Sequence, residues 1–304
     1  MKYSYYPGCT LHSSTKEYDM STRAVCKKLG IELEELEDWN CCGALGAFSY
    51  NYLLSVALPA RNLALVEKKK LTLAAPCNAC FHNLAKANKL LKENEDIKKR
   101  VNDLMDTPYG GTAEIRHLLD IIVNDVGLET VAKNVTKPLK GLKIVPYYGC
   151  LIVRPTEVAK FDDQENPQSL DNLLKALGAE VLPFTMKVKC CGASLVVSDE
   201  ELAFALTRKI LEAARDVGAN CVAVTCPLCS TNLDAYQSKI ESLYNIKLGL
   251  PVLYFTQIMG LALGIAPKAL GLDKNMVPTD KIVELVTGVK TKMPQLIEVK
   301  AGGK

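Results

Sequence analysis

The chain has 304 residues, 48% of them hydrophobic and 23% charged, enough for one large α/β unit or two domains, which excludes a disordered, fibrous or low-complexity protein. Thirty-seven basic against 34 acidic residues leave a net charge of +3, too small to make nucleic acid or an anionic membrane the main partner. Twelve cysteines against 3 histidines and 1 tryptophan are the departure. The sequence opens without an apolar signal core and is too long to need disulfide staples, so the thiols are expected in a reducing, cytoplasmic setting.

The first predicted strand, residues 2–6, runs into Pro7-Gly8-Cys9. Ser13 or Ser14 is expected to cap a helix that reaches Leu29 and stops at Gly30. A second strand, 31–36, leads to Cys41-Cys42-Gly43, and a third, 71–75, to Cys77-Asn78-Ala79-Cys80. The mixed charges of 89–99 predict a solvated helical face, and 115–123 a helix on which His117 is structural. After a polar stretch with Pro and Gly at 137–141 the series starts again. Strands are predicted at 143–147, 179–182 and 220–225, with a helix at 170–177 ended by Gly178. Beside them stand Cys150, then Cys190-Cys191-Gly192, then Cys226-Pro227-Leu228-Cys229.

The vicinal cysteines and the CxxC are separated by 34 residues in both halves and recur at a shift of 149, and KYSYYPGC at 2–9 matches KIVPYYGC at 143–150. The expected architecture is therefore α/β, two similar βαβ-type domains at 1–140 and 141–304, related by internal duplication and a pseudo-twofold, each with one CCG motif. The cysteines would then lie on loops at the carboxyl ends of parallel strands, where such folds place their sites. The longest nearly apolar run, 258–267, is about half of the ~20 residues that a membrane helix needs, so no membrane span is expected.

Ten cysteines belong to the repeat and two, Cys26 and Cys221, fall on apolar positions of a helix and a strand and are expected in the core. For the ten, disulfides, packing and a thioredoxin-like redox CxxC are weaker explanations than soft metal ligation, and the redox reading leaves Cys9 and the vicinal pairs unexplained. A CxxC after a strand and at a helix start sets two thiolates at the positive end of the helix dipole. Structural zinc and a cubane [4Fe–4S] cluster each take four ligands, whereas each half supplies five. Either one cysteine is spare or the cluster departs from the cubane; iron–sulfur is preferred to zinc. The chain has neither a C-x2-C-x2-C-x3-C run nor a G-x-G-x-x-G fingerprint, so electrons are expected from a partner.

The doubled pattern C-x31–39-CCG-x33-CxxC resembles the CCG-domain proteins, and among them the B subunit of heterodisulfide reductase, as do segments 149–155, 161–167, 187–193 and 253–261. The resemblance implies one noncubane [4Fe–4S] cluster per half, on Cys9, Cys41, Cys42, Cys77 and Cys80, and on Cys150, Cys190, Cys191, Cys226 and Cys229. It implies reduction of the mixed disulfide of coenzyme M and coenzyme B, with no separate catalytic side chain. Electrons would arrive from an iron–sulfur C subunit and a flavin-bearing A subunit, and through them a hydrogenase or formate dehydrogenase. The alternative is the electron-transfer subunit found in glycolate and lactate oxidases and some succinate:quinone reductases. His12, Arg154, Lys187 and Lys189 lie within four residues of a repeated cysteine and are candidates for the anionic tails of the disulfide, with His82 beside the first CxxC; the plainer reading makes them surface charges or donors to cluster sulfides. The expected arrangement has both clusters facing one cleft between the halves.

Overall fold

The computed structural model describes residues 1–44 and 46–290; the end of the expected second domain, 291–304, lies outside the described residues. Strands β1 (Lys2–Tyr5), β2 (Glu32–Glu35), β3 (Leu73–Ala75) and β4 (Ile115–His117) form a sheet in the order β2-β1-β3-β4. Strands β5 (Lys143–Tyr147), β6 (Glu180–Val181), β7 (Cys221–Val224) and β8 (Val252–Tyr254) form another in the order β6-β5-β7-β8. All pairings are parallel, with Lys2 opposite Glu32 and Lys143 opposite Glu180 at corresponding places. The duplication expected from the cysteine spacing is thus a duplication of topology. In each sheet the order reverses beside the first strand, which opens a crevice at the carboxyl ends of β1/β3 and β5/β7.

Central strands are buried on both faces, as parallel sheets with helices on either side require: all of β7, four residues of β5 and three of β1 are buried. Helix Lys16–Lys28 turns its buried Tyr18, Ser21, Thr22, Val25 and Cys26 inward, and packs across the halves against helix Phe255–Ala262. There Tyr18 stacks on Tyr254 at 4.0 Å between ring centroids, and the Ser21 and Thr256 hydroxyls are 2.7 Å apart. The corresponding helix of the second half, Ser169–Ala176, packs in turn against Leu128–Lys133 and Leu118–Asp120 of the first. Each half therefore covers its partner with the same kind of element.

Three local expectations are corrected. The first long helix begins at Lys16 after Thr15, because the Ser13 hydroxyl donates to the Cys9 carbonyl at 2.8 Å and closes the preceding short helix Gly8–His12. The run 89–99 is two helices, Asn78–Glu93 and Glu95–Asn102, since Asn94 accepts from the Ile97 amide at 2.9 Å and starts a new one. His117 ends strand β4, with helix only from Leu118; three residues are too few for a periodicity, and the pairing with β3 decides the matter. His117 is structural even so. Its Nδ1 accepts from the Leu119 amide, leaving the Nε2 proton for the Pro76 carbonyl at 2.9 Å, and burial lowers its pKa to about 4.

Candidate metal centre

Every repeated cysteine lies beyond the carboxyl end of a strand: Cys9 and Cys150 after the first of each sheet, the vicinal pairs after the second, the CxxC pairs after the third. Cys77 caps helix Asn78–Glu93, whose first turn holds Cys80. Cys226 caps the short helix Pro227–Ser230, which holds Cys229. The two halves repeat their sulfur geometry. Cys42 and Cys80 Sγ are 3.4 Å apart, as are Cys191 and Cys229 Sγ. The Gly43 amide donates to Cys41 Sγ at 3.4 Å, and the Gly192 amide to Cys190 Sγ at 3.4 Å. A Cβ on Gly8 would stand 2.9 Å from Cys80 Sγ, and one on Gly149 3.1 Å from Cys229 Sγ, so the glycine before each first cysteine lets backbone and CxxC sulfur meet.

Cys42, Cys77, Cys80, Cys191, Cys226 and Cys229 are buried, Cys150 is half-buried, and Cys9, Cys41 and Cys190 are exposed. Each set has an inner wall and an open lip. Across the halves Asn78 and Ala79, inside the first CxxC, line the same cavity as the second sulfur set, which makes the two sets contiguous. Hydrogen bonds with Cys41 and Cys80 lower the Cys42 thiol and one with Cys150 lowers Cys190, while neighbouring thiols and burial raise Cys41, Cys77, Cys80, Cys150 and Cys229. Thiols so crowded resist ionising together, and a cation among them would balance the charge of their thiolates. Among the described residues no three or more His, Cys, Asp or Glu side chains converge to hold a single metal ion. In the second half the five sulfurs instead ring a cavity of about 60 Å³, shared with Asn78, Ala79 and Leu228.

Cys26 and Cys221 stay in the hydrophobic core, where burial raises both thiols to about 12. Sequence reasoning missed two clamps on the vicinal turns. The Tyr6 hydroxyl donates to the Asn40 carbonyl at 2.7 Å and Tyr147 to the Lys189 carbonyl at 2.6 Å, in each case the residue before the vicinal pair. The Asn83 amide donates to the Cys42 carbonyl at 3.2 Å and Asn232 to the Cys191 carbonyl at 3.0 Å. Their signals are a Tyr three residues before the first cysteine and C-x-x-C-x-x-Asn in both halves.

The basic candidates are placed unequally. Lys187 is buried, with Asp171 and the Pro167 carbonyl each at 2.9 Å and the Tyr148 ring beneath it, so its charge is paired inside the fold. Arg154 donates to the Gln164 carbonyl at 3.0 Å and to Glu165 at 2.9 Å. His12 lies 3.1 Å from Glu35 and edge-on to Trp39. Lys189 is exposed beside Cys190, and His82 is mostly enclosed, with Nδ1 buried and unpartnered.

Comparison with known proteins gives three findings. A family model described as a cysteine-rich domain, CCG, matches residues 3–85 and 144–234. The 8-methylmenaquinol:fumarate reductase membrane anchor subunit of Wolinella succinogenes is 36% identical, over 92% of this chain and 99% of its own length. The B subunit of a ferredoxin/F420H2-dependent CoB-CoM heterodisulfide reductase from Methanosarcina acetivorans is 30% identical over 95% and 99%. A protein of Archaeoglobus profundus, named for its likeness to the heterodisulfide reductase B subunit, is 32% identical over 94% and 98%. A hypothetical protein from Helicobacter pylori shares the fold, with a TM-score of 0.74 and 17% identity over 91% of this chain and 52% of that one.

Proposed function

The chain belongs to the cysteine-rich CCG domain family, and from that premise we propose that it is the disulfide-reducing subunit of a multisubunit reductase, holding one noncubane [4Fe–4S] cluster in each of the units 1–140 and 141–304. The observation that carries this reading is the pair of contiguous five-thiol sets, joined where Asn78 and Ala79 of the first CxxC line the cavity of the second set. The donor set fits the cofactor: all sulfur, six of the ten cysteines buried, and in the second half arranged around a volume instead of a point. Cys9, Cys41, Cys42, Cys77 and Cys80 would hold one cluster, and Cys150, Cys190, Cys191, Cys226 and Cys229 the other. When bound, such clusters supply one-electron redox chemistry and sulfur-accepting iron, and two side by side match the two electrons that an S–S bond takes.

The protein's own part is to hold the thiolates before the metal arrives. Tyr6 and Asn83 fix the two carbonyls of the first vicinal turn, Tyr147 and Asn232 those of the second, so adjacent cysteines are presented in different directions. The open lip at Cys9, Cys41 and Cys190 gives access. The proposed substrate is the heterodisulfide of coenzymes M and B named in the heterodisulfide reductase relatives, with Lys189, His12 and Arg154 as the basic groups nearest the lip. An iron–sulfur C subunit and a flavin-bearing A subunit would deliver the electrons, on the cytoplasmic side.

A second reading, an electron-transfer subunit of a quinol:fumarate reductase complex, is favoured by the Wolinella relative and by the internal pairing of Arg154 and Lys187. Among the described residues no helix is long and apolar enough to cross a membrane. The test is to isolate the native complex anaerobically and assay viologen-linked reduction of the heterodisulfide beside fumarate reduction by a quinol. Activity with the first alone supports disulfide reduction; activity with the second alone replaces it by the electron-transfer role.

A further inference from the structure

The two sulfur sets are not equivalent, and one side chain of the first half reaches only the second set. Asn78, inside the first CxxC, is 1% exposed and reaches across to the second half, where its Nδ2 donates to the Tyr148 carbonyl at 2.7 Å. That bond fixes which way the amide points, since the flipped form would set its oxygen against another carbonyl oxygen. Oδ1 is left buried without a partner, and Asn78 lines the cavity ringed by Cys150, Cys190, Cys191, Cys226 and Cys229. A buried, unpaired amide oxygen is costly, so a native protein that keeps one presents it to something. The corresponding position of the second CxxC is Pro227, which has no polar side chain to return the contact.

We propose that Asn78 is a positioning residue of the first half that tunes the centre of the second. It holds the Tyr148-Gly149 backbone beside Cys150 and presents the negative end of its amide dipole to the second sulfur set alone. This inference rests on the two-cluster reading. A dipole of that sense favours the oxidised state of a neighbouring cluster, so the second centre is harder to reduce than its own ligand set would make it.

The test is an anaerobic redox titration of the iron-loaded protein in its complex, followed by electron paramagnetic resonance, with the second centre identified as the signal perturbed in Cys191→Ser. Asn78→Leu removes the dipole and is expected to move that centre to a higher midpoint potential; Asn78→Asp keeps an oxygen, adds charge and is expected to move it lower. The first centre should stay in place in both. Shifts of the first centre alone, equal shifts of both, or no shift would overturn the role given to Asn78. A wild-type protein without iron would overturn the cluster reading and this inference with it, whereas two intact clusters with unmoved potentials would overturn this inference alone.

Discussion

Glu17 is buried beside the interface of the halves, and burial, with Asp234 nearby, raises its carboxyl from 4.5 to about 7. The folded chain therefore keeps this proton while the unfolded chain has released it, so stability present below about pH 4.5 is lost as the pH rises toward 7. Glu17→Gln should remove that loss: urea unfolding at pH 8 is expected to show the variant more stable than the native chain by on the order of 1–3 kcal/mol, and the two should converge at pH 4. His117 has the opposite sign, its contribution lost as the pH falls from 6.5 to about 4. At the same scale the ten repeated cysteines separate from the other two. Cys26→Ala and Cys221→Ala should cost on the order of 1 kcal/mol of burial and leave metal content intact, while Cys42→Ser and Cys191→Ser should each perturb one centre and spare the other. A Cys26 variant that lost iron, or a Cys42 variant with native spectrum and activity, would contradict the ligand assignment. The cysteines were legible because their spacing repeats; the roles of Tyr6, Tyr147, Asn83 and Asn232 were not, because a hydrogen bond to a loop carbonyl leaves no periodic trace.

The strands beside the cysteines were read within one or two residues of their ends, since each is a short segment that precedes a CCG, CxxC or Gly-Cys turn. The edge strands β4 and β8 passed unread as strands: three residues carry no alternation, and their identity comes from pairing with Leu73–Ala75 and Val222–Val224. The vicinal turns depend on neighbouring elements in the same way. Asn83→Ala should leave the Cys42 carbonyl without its side-chain donor, costing about 1–3 kcal/mol, and Asn232→Ala should cost less because the Thr207 hydroxyl still donates to the Cys191 carbonyl at 2.9 Å; each should lower iron occupancy in the affected half only. A thermal melt with iron analysis checks this, and occupancy falling equally in both halves would speak against a local clamp.

The two halves meet through a hydroxyl that sequence reasoning had no means to find. Tyr18 OH lies 2.9 Å from the Pro76 carbonyl and 3.0 Å from the Thr225 carbonyl, the residues immediately before Cys77 and Cys226, so a single side chain spans both CxxC turns. Tyr18→Phe keeps the stack on Tyr254 and removes the hydroxyl; it should lower stability by about 1–3 kcal/mol and alter the magnetic interaction between the two centres more than the spectrum of either. The fold and its duplication could be anticipated from cysteine spacing alone. How the halves face each other could not, because that rests on Tyr18, Asn78 and helix Phe255–Ala262, contacts between residues far apart in the chain.

The central claim is that ten thiolates hold two iron–sulfur clusters in one chain. Iron, acid-labile sulfide and zinc, measured together on anaerobically purified protein, test it most directly. The account predicts about eight irons per chain with labile sulfide in similar amount and no stoichiometric zinc; one zinc per half and no labile sulfide would contradict it.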